Sequence, residues 1–242
     1  MDWAIHIDEN GIALYAMFCG FNGGTDVAKF VMNRMVYEVF KDHPITKSMT
    51  VEEVKDALLR KFRTVDMRYF QTIDDDLTQR LVLMDDPETN ADDISALNAK
   101  IRKGTTAFVV LRAEHDLYVL NCGTSLGLAF RGDRSVVRLN TRVHDNDDPE
   151  ECERLRNLNV NPLVVHRPTR ALGDYFRRDL FEENKELKKT TRKHDVAYCR
   201  VSSFHNRSLV AYTASFHFFP VVFSCTSLTG NFNRTPPLFD II

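Results

Sequence analysis

Leu14-Tyr15-Ala16-Met17-Phe18-Cys19-Gly20-Phe21-Asn22-Gly23-Gly24 reads as a buried strand that runs into a glycine-rich turn and then a helix. An Asp after the phenylalanine of such a turn would give the strand end an oxygen donor for a hard divalent cation. Cys19 stands there instead, and a neutral thiol is a poor ligand for Mg²⁺ or Mn²⁺, which take oxygen donors in octahedral geometry. A thiol at a helix N-terminus can also act as a low-pKa nucleophile. A phosphate-binding loop of that kind needs an arginine shortly after the cysteine, and residues 21–26 contain none. Cys19 therefore reads as a buried structural cysteine.

Upstream, Ala4 to Ile7 and Ile12 to Phe18 read as strands around Asn10-Gly11, a strong hairpin signal. Downstream, Thr25 can cap a helix in which Val27, Val31, Met35 and Val39 recur every four residues. That helix should stop before His43-Pro44, because the residue preceding proline disfavours the helical region. Thr50-Val51-Glu52-Glu53 forms a capping box, opening a second helix with Val51, Val54, Leu58, Phe62, Val65 and Tyr69 on its apolar face. The acidic stretch from Asp74-Asp75-Asp76 to Asp85-Asp86-Pro87 reads as loops or breaks. A shorter helix is expected over Ala91 to Arg102, with Asn90 as its cap and Gly104 past its end.

Then the period changes. Thr105 to Leu111 and Leu117 to Asn121 are nearly continuous apolar runs and form a hairpin buried on at least one face. Leu126 to Phe130 and Ser135 to Leu139 make a second hairpin around Gly132-Asp133. Pro149, after Asp148, opens a short helix. From about Thr190 the character shifts: Val196 to Cys225 is rich in Phe, Ser and Thr without a helical period. His217, Pro220 and many hydroxyls interrupt the run, which favours a β-prone or disordered tail over a membrane span.

The 242 residues, 43% apolar and 27% charged, suit a globular chain of one domain with an appendage, or of two small domains. A formal net charge of −2 argues against a dedicated nucleic-acid binder. Five cysteines without a CxxC pair fit free thiols in a reducing compartment rather than disulfides or a zinc site. Met1 to His6 carry neither a basic region nor a long apolar run, so no secretory signal is expected. Asn206-Arg207-Ser208 and Asn233-Arg234-Thr235 then read as chance matches to the glycosylation pattern. The Asp74, Asp85 and Asp145 clusters lack the glycine and distant glutamate of a calcium loop. Lys185 to Lys193 reads as a charged solvent-facing run.

The succession of Phe18 to Gly23, two amphipathic helices, Gly104-Thr105-Thr106-Ala107, Asn121-Cys122-Gly123-Thr124-Ser125, His144 with the acidic helix Glu150 to Leu155, and Arg170-Ala171-Leu172-Gly173-Asp174-Tyr175 resembles the PPM (type 2C) family of metal-dependent serine/threonine phosphatases. The resemblance covers about Ala4 to Asp179. It implies an α+β fold, an αββα sandwich of two face-to-face sheets with helices outside, and two Mg²⁺ or Mn²⁺ ions that activate a water for in-line attack on phosphorus. In active members the turn reads Phe-Asp-Gly-His-Gly-Gly. The family's bridging Asp falls on Cys19, its glycine on Gly20 and its acidic His on Phe21. Thr124 takes the place of the Asp in Asn-x-Gly-Asp-Ser. The later Asp-Gly and Asp-Asn metal ligands have no match after Asp179, and the phosphate-binding arginine has none upstream.

Within the family, these degenerate motifs are similar to those of the TAB-type pseudophosphatases, which bind and activate the transforming-growth-factor-β-activated kinase. The resemblance thus implies a non-catalytic regulatory partner of a MAP-kinase kinase kinase, in the cytoplasm, with no catalytic, metal or cofactor-binding residue, no cofactor, no nucleic acid and no membrane. A weakly active metal-dependent phosphatase is the alternative. Residues 1–189 are expected to form a partial PPM-type domain, incomplete at both ends, and 190–242 a divergent tail. Gly173 and Asp174 are expected to serve structure rather than chemistry.

Overall fold

Asn10 and Gly11 close the first hairpin with φ of 55° and 75°, the positive values that primed hairpin turns need. In the computed structural model, which describes residues 2–113, 116–130, 135–140, 142–157, 161–165, 168–176, 196–200, 207–212 and 221–225, this turn joins β1 (Asp2–Glu9) to β2 (Ile12–Phe21). Their register runs from Asp2 opposite Cys19 to Glu9 opposite Ile12. β2 pairs antiparallel with β3 (Gly104–Ala113), and β3 with β4 (Asp116–Cys122).

Side chains alternate across a strand, so β2 feeds two cores at once. Ile12, Leu14, Ala16 and Phe18 join Val109, Leu111, Tyr118 and Leu120 on one face. Ala13, Tyr15, Met17 and Cys19 join Phe108, Val110, Leu117 and Val119 on the other. Burial on both faces is why these strands read as unbroken apolar runs.

The first face is covered by α1 (Thr25–Phe40) and α2 (Val51–Thr72), through Val27, Val31, Met35 and Val39 and through Val54, Leu58, Phe62 and Val65. The capping box at Thr50 is present: the Thr50 N–H donates to the Glu53 carboxylate at 2.7 Å, and the Glu53 N–H donates to the Thr50 hydroxyl at 3.3 Å. The start of α1 differs from expectation. Its N-cap is Gly24, without a side-chain cap, and Thr25 is already helical. The Gly24 N–H donates to the Phe21 carbonyl at 2.9 Å, so the glycine turn itself starts the helix.

The acidic stretch is also a correction: Asp74–Asp85 is a helix, α3, and not a loop. Three aspartates in its first turn sit where the helix dipole favours negative charge, and Leu, Arg and Met in its body are good helix formers. α4 (Ala91–Ile101) follows, with the Asn90 side chain accepting from the Asp92 N–H at 3.0 Å.

The second sheet face packs on Ala129 and Leu139, with Val137 beside them. The second sheet holds β5 (Leu126–Phe130) and β6 (Val136–Arg138), with α5 (Pro149–Asn157) and β7 (Leu172–Gly173) following in the chain. Among the described residues, three strands lie within 190–242. β8 (Val196–Arg200) pairs with β4, β9 (Arg207–Tyr212) pairs with β5, and β10 (Val221–Cys225) pairs with β9. The strand orders are β1-β2-β3-β4-β8, with β7 against β3, and β10-β9-β5-β6. The molecule is thus an α+β sandwich of two antiparallel sheets. Among the described residues no helix is long and apolar enough to cross a membrane. The Gly132-Asp133 turn, the Lys185 to Lys193 run, Asn206 and Asn233 lie outside the described residues.

Candidate functional site

Strand register brings the degenerate motifs to one sheet edge. Cys19, Gly20 and Phe21 lie opposite Thr106, Thr105 and Gly104, Ala107 lies opposite Cys122, and Gly173 and Leu172 continue beside Gly104 and Thr105. Backbone packing here is tight enough to demand glycine. A Cβ on Gly20 would lie 2.4 Å from the Gly24 carbonyl oxygen, and one on Gly24 would lie 2.2 Å from the Gly104 carbonyl oxygen. The Phe21 ring lies over Gly104, 2.4 Å from where a Cβ would be.

Polar contacts lock the turn from outside. The Asn22 amide donates to the Arg102 carbonyl at 3.2 Å, and Lys103 Nζ pairs with Asp26 at 2.9 Å. Partial burial pushes the Asp26 carboxyl upward, but the Lys103 hydrogen bond, the Val27 N–H and the lysine charge outweigh it and hold the group below its ordinary value.

Cys19 is 4% exposed and belongs to the inter-sheet core. Phe21 and Thr124 are half-buried. Asp174, the carboxylate preserved in its motif, is buried. It follows Gly173, and both residues have positive φ, 72° and 54°. The Gly173 N–H donates to Asp66 at 2.9 Å and the Asp174 N–H to the Lys103 carbonyl at 2.8 Å. This segment ties β7 to α2 and to the approach to β3. Among the described residues no three His, Cys, Asp or Glu side chains come together as a metal-holding group. Sulfur, hydroxyl and an aromatic ring do not fit a pair of hard cations. The aspartates at 145 and 148 accept backbone hydrogen bonds instead: Asp147 N–H to Asp145 at 3.1 Å, and Glu151 N–H to Asp148 at 3.0 Å.

The polar cluster that the linear pattern did not reveal lies below this edge. Glu151 is fully buried, and its carboxylate accepts from Arg170 Nε at 3.2 Å, from an Arg170 terminal nitrogen at 2.8 Å, from Arg154 Nε at 2.8 Å and from the Thr169 hydroxyl at 2.6 Å. Burial works to raise the Glu151 pKa, but the hydrogen bonds and charges of Arg154 and Arg170 hold it well below the carboxylate range. The Thr169 N–H donates to the His144 carbonyl at 2.9 Å. His144 in turn exchanges two bonds with Gly123: its N–H donates to the Gly123 carbonyl at 2.9 Å, and its Nδ1 accepts from the Gly123 N–H at 3.0 Å. Nδ1 therefore carries no proton in this arrangement. The cluster braces the Gly123–Ser125 turn, and with it Thr124. The Arg154 spacing of three from Glu151 was legible on a helix; Arg170, nineteen positions away, was not.

Comparison with known proteins adds identity. The family described as "Protein phosphatase 2C" matches residues 12–196. "TGF-beta-activated kinase 1 and MAP3K7-binding protein 1" of Caenorhabditis elegans is 47% identical over 183 residues, 75% of this chain and 47% of that protein. Protein phosphatase 1A of Homo sapiens is 25% identical over 176 residues, 69% of this chain and 40% of that protein. The chain spans about half the length, or less, of these curated relatives. Among solved structures, a C. elegans sex determining protein superposes with a TM-score of 0.54 at 17% identity, over 86% of this chain and 47% of that one. The S. agalactiae serine/threonine phosphatase gives 0.50 at 13% identity, over 87% and 71%. These two likenesses concern the fold alone.

Proposed function

Because this chain belongs to the protein phosphatase 2C family, yet carries Cys19, Phe21 and Thr124 at the positions of the family's metal and acid groups, we propose that it is a pseudophosphatase. It serves as a regulatory subunit that binds and activates a MAP-kinase kinase kinase of the TGF-β-activated type in cytoplasmic signalling. The observation that carries this reading is the 47% identity over 183 residues to a relative whose name states kinase binding. The replaced donors at the end of β2 support the loss of phosphoryl chemistry, since removing one of several cooperating catalytic groups already costs most of a rate. No residue is assigned a catalytic, metal-binding or cofactor-binding role. Residues 1–189 are taken as the family-like unit and 190–242 as the divergent part, which contributes β8, β9 and β10 to the sheets.

The second reading is a weak Mn²⁺-dependent serine/threonine phosphatase, favoured by the likeness to protein phosphatase 1A and by the intact Gly20 and Asp174 positions. Two measurements on the purified chain separate the readings. Capture of a TGF-β-activated-type kinase, with a rise in its autophosphorylation and no phosphoserine turnover in Mn²⁺, is the expected result. Turnover above background in Mn²⁺ establishes the enzyme instead, and failure to capture or stimulate that kinase removes the regulatory reading.

A further inference from the structure

α3 is the one helix of the α1–α4 set with no buried side chain. Leu81, Val82 and Met84 are 57%, 63% and 54% exposed. The helix is nevertheless held firmly from its other side. Arg80 Nε donates to the Asn98 side chain at 2.8 Å, Lys100 pairs with Asp76 at 3.2 Å, and the Arg80 guanidinium lies 5.2 Å from the Phe176 ring centroid. Of the exposed apolar side chains, Leu81 and Val82 lie on a different side of α3 from Asp76 and Arg80, which share one face at a spacing of four.

Their setting is patterned. Asp74, Thr78, Leu81 and Asp85 follow one another at intervals of four, three and four, which places them on one helix face. Asp75, Val82 and Asp86 flank that line. An apolar centre thus has carboxylates at both ends, and residues 74–93 hold eight carboxylates against one guanidinium. An apolar centre with a polar rim is the anatomy of an interaction site.

The geometry points to a docking surface on α3 for a partner's amphipathic helix whose apolar stripe is flanked by Lys or Arg. Charge complementarity selects this occupant. A second copy meeting α3 with its own α3 would set carboxylate against carboxylate, and an anionic lipid surface would be repelled. A neighbouring helix fits the exposed ridge of α3 by ridge-into-groove packing. The surface stands on its own charge and exposure pattern, independent of the proposed kinase activation.

The probe is a fluorescent peptide of about five helical turns, with a leucine stripe flanked by lysines, beside a twin carrying glutamate for every lysine. Anisotropy with the full chain should show binding of the lysine peptide and affinity lower by about tenfold or more for the twin. L81S/V82S should weaken the lysine peptide by about tenfold. D75N/D85N should weaken it and flatten its salt dependence. L81S/V82S should melt close to the wild type because those side chains are exposed, and D75N/D85N should too, because the charge lost at the start of α3 is offset by the unfavourable one removed at its end. Equal binding of the two peptides, or unchanged affinity in both variants, overturns the proposal. So does a wild-type dimer in sedimentation that L81S/V82S dissolves, because a second copy then covers α3.

Discussion

Two polar places in this molecule solve opposite problems. At the end of β2 the backbone is packed to the limit that glycine allows, while the side chains there, Cys19 in the inter-sheet core and Phe21 over Gly104, are uncharged. Below it, Glu151, Arg154 and Arg170 bring full charges into the interior, hydrogen-bonded to one another and to Thr169. The difference lies in who satisfies the charge. A buried carboxylate is tolerable where the protein supplies its counter-ions. A set of carboxylates that depends on external cations leaves mutual repulsion whenever the cations are absent. A thiol and a ring carry no charge that needs such a cation.

The contrast can be broken by experiment. The largest effect is expected for Glu151→Ala, which leaves two guanidiniums without their shared carboxylate and should cost about 3–5 kcal/mol in denaturant unfolding. A loss under 1 kcal/mol would show that water or the loop rearranges to replace the carboxylate. Next is Cys19→Asp. It places a carboxyl in the inter-sheet core and should destabilise by about 2–3 kcal/mol. Adding Mn²⁺ should not restore the melting temperature, since the neighbouring donors are still missing; full rescue by Mn²⁺ would mean the edge retains a cation site.

Gly24→Ala probes the backbone half of the comparison. The new methyl must displace the Gly104 carbonyl, and a cost of about 1–2 kcal/mol is expected from overpacking. Neutral behaviour would show that the two turns can slide apart. The smallest effect is on acid stability. The Glu151 pKa is lowered in the folded state, so its contribution is complete above its ordinary value of 4.5 and is lost progressively as pH falls below it. Melting temperature should therefore fall more steeply below that pH in the wild type than in Glu151→Gln; parallel curves would assign acid lability elsewhere.

Much of the fold was legible because its signals are local. Asn10-Gly11, the four-residue valine spacing of α1, the Thr50 capping box and the Asn90 cap each act within one turn of chain, and all except the Thr25 cap took the expected form. α3 is not legible as a helix because aspartates suggest solvent, although at a helix N-terminus they stabilise the first turn. Placement of the tail strands was not legible either. Val196–Arg200 and Arg207–Tyr212 join different sheets, and their alternation is too weak to reveal which face each one buries.

At the candidate site the chemistry was decided by residue type. Cys19, Phe21 and Thr124 have fixed properties wherever they sit: a thiol is a poor ligand for hard cations, a ring has no proton to give, and a hydroxyl carries no charge. What only the tertiary structure decided is which groups meet. Strand register aligns residues 19–21 with 104–106, and one carboxylate at 151 gathers guanidiniums three and nineteen positions away. Donor chemistry is a property of the side chain. Proximity is a property of the folded backbone, and long-range pairing leaves no periodic trace in the order of residues.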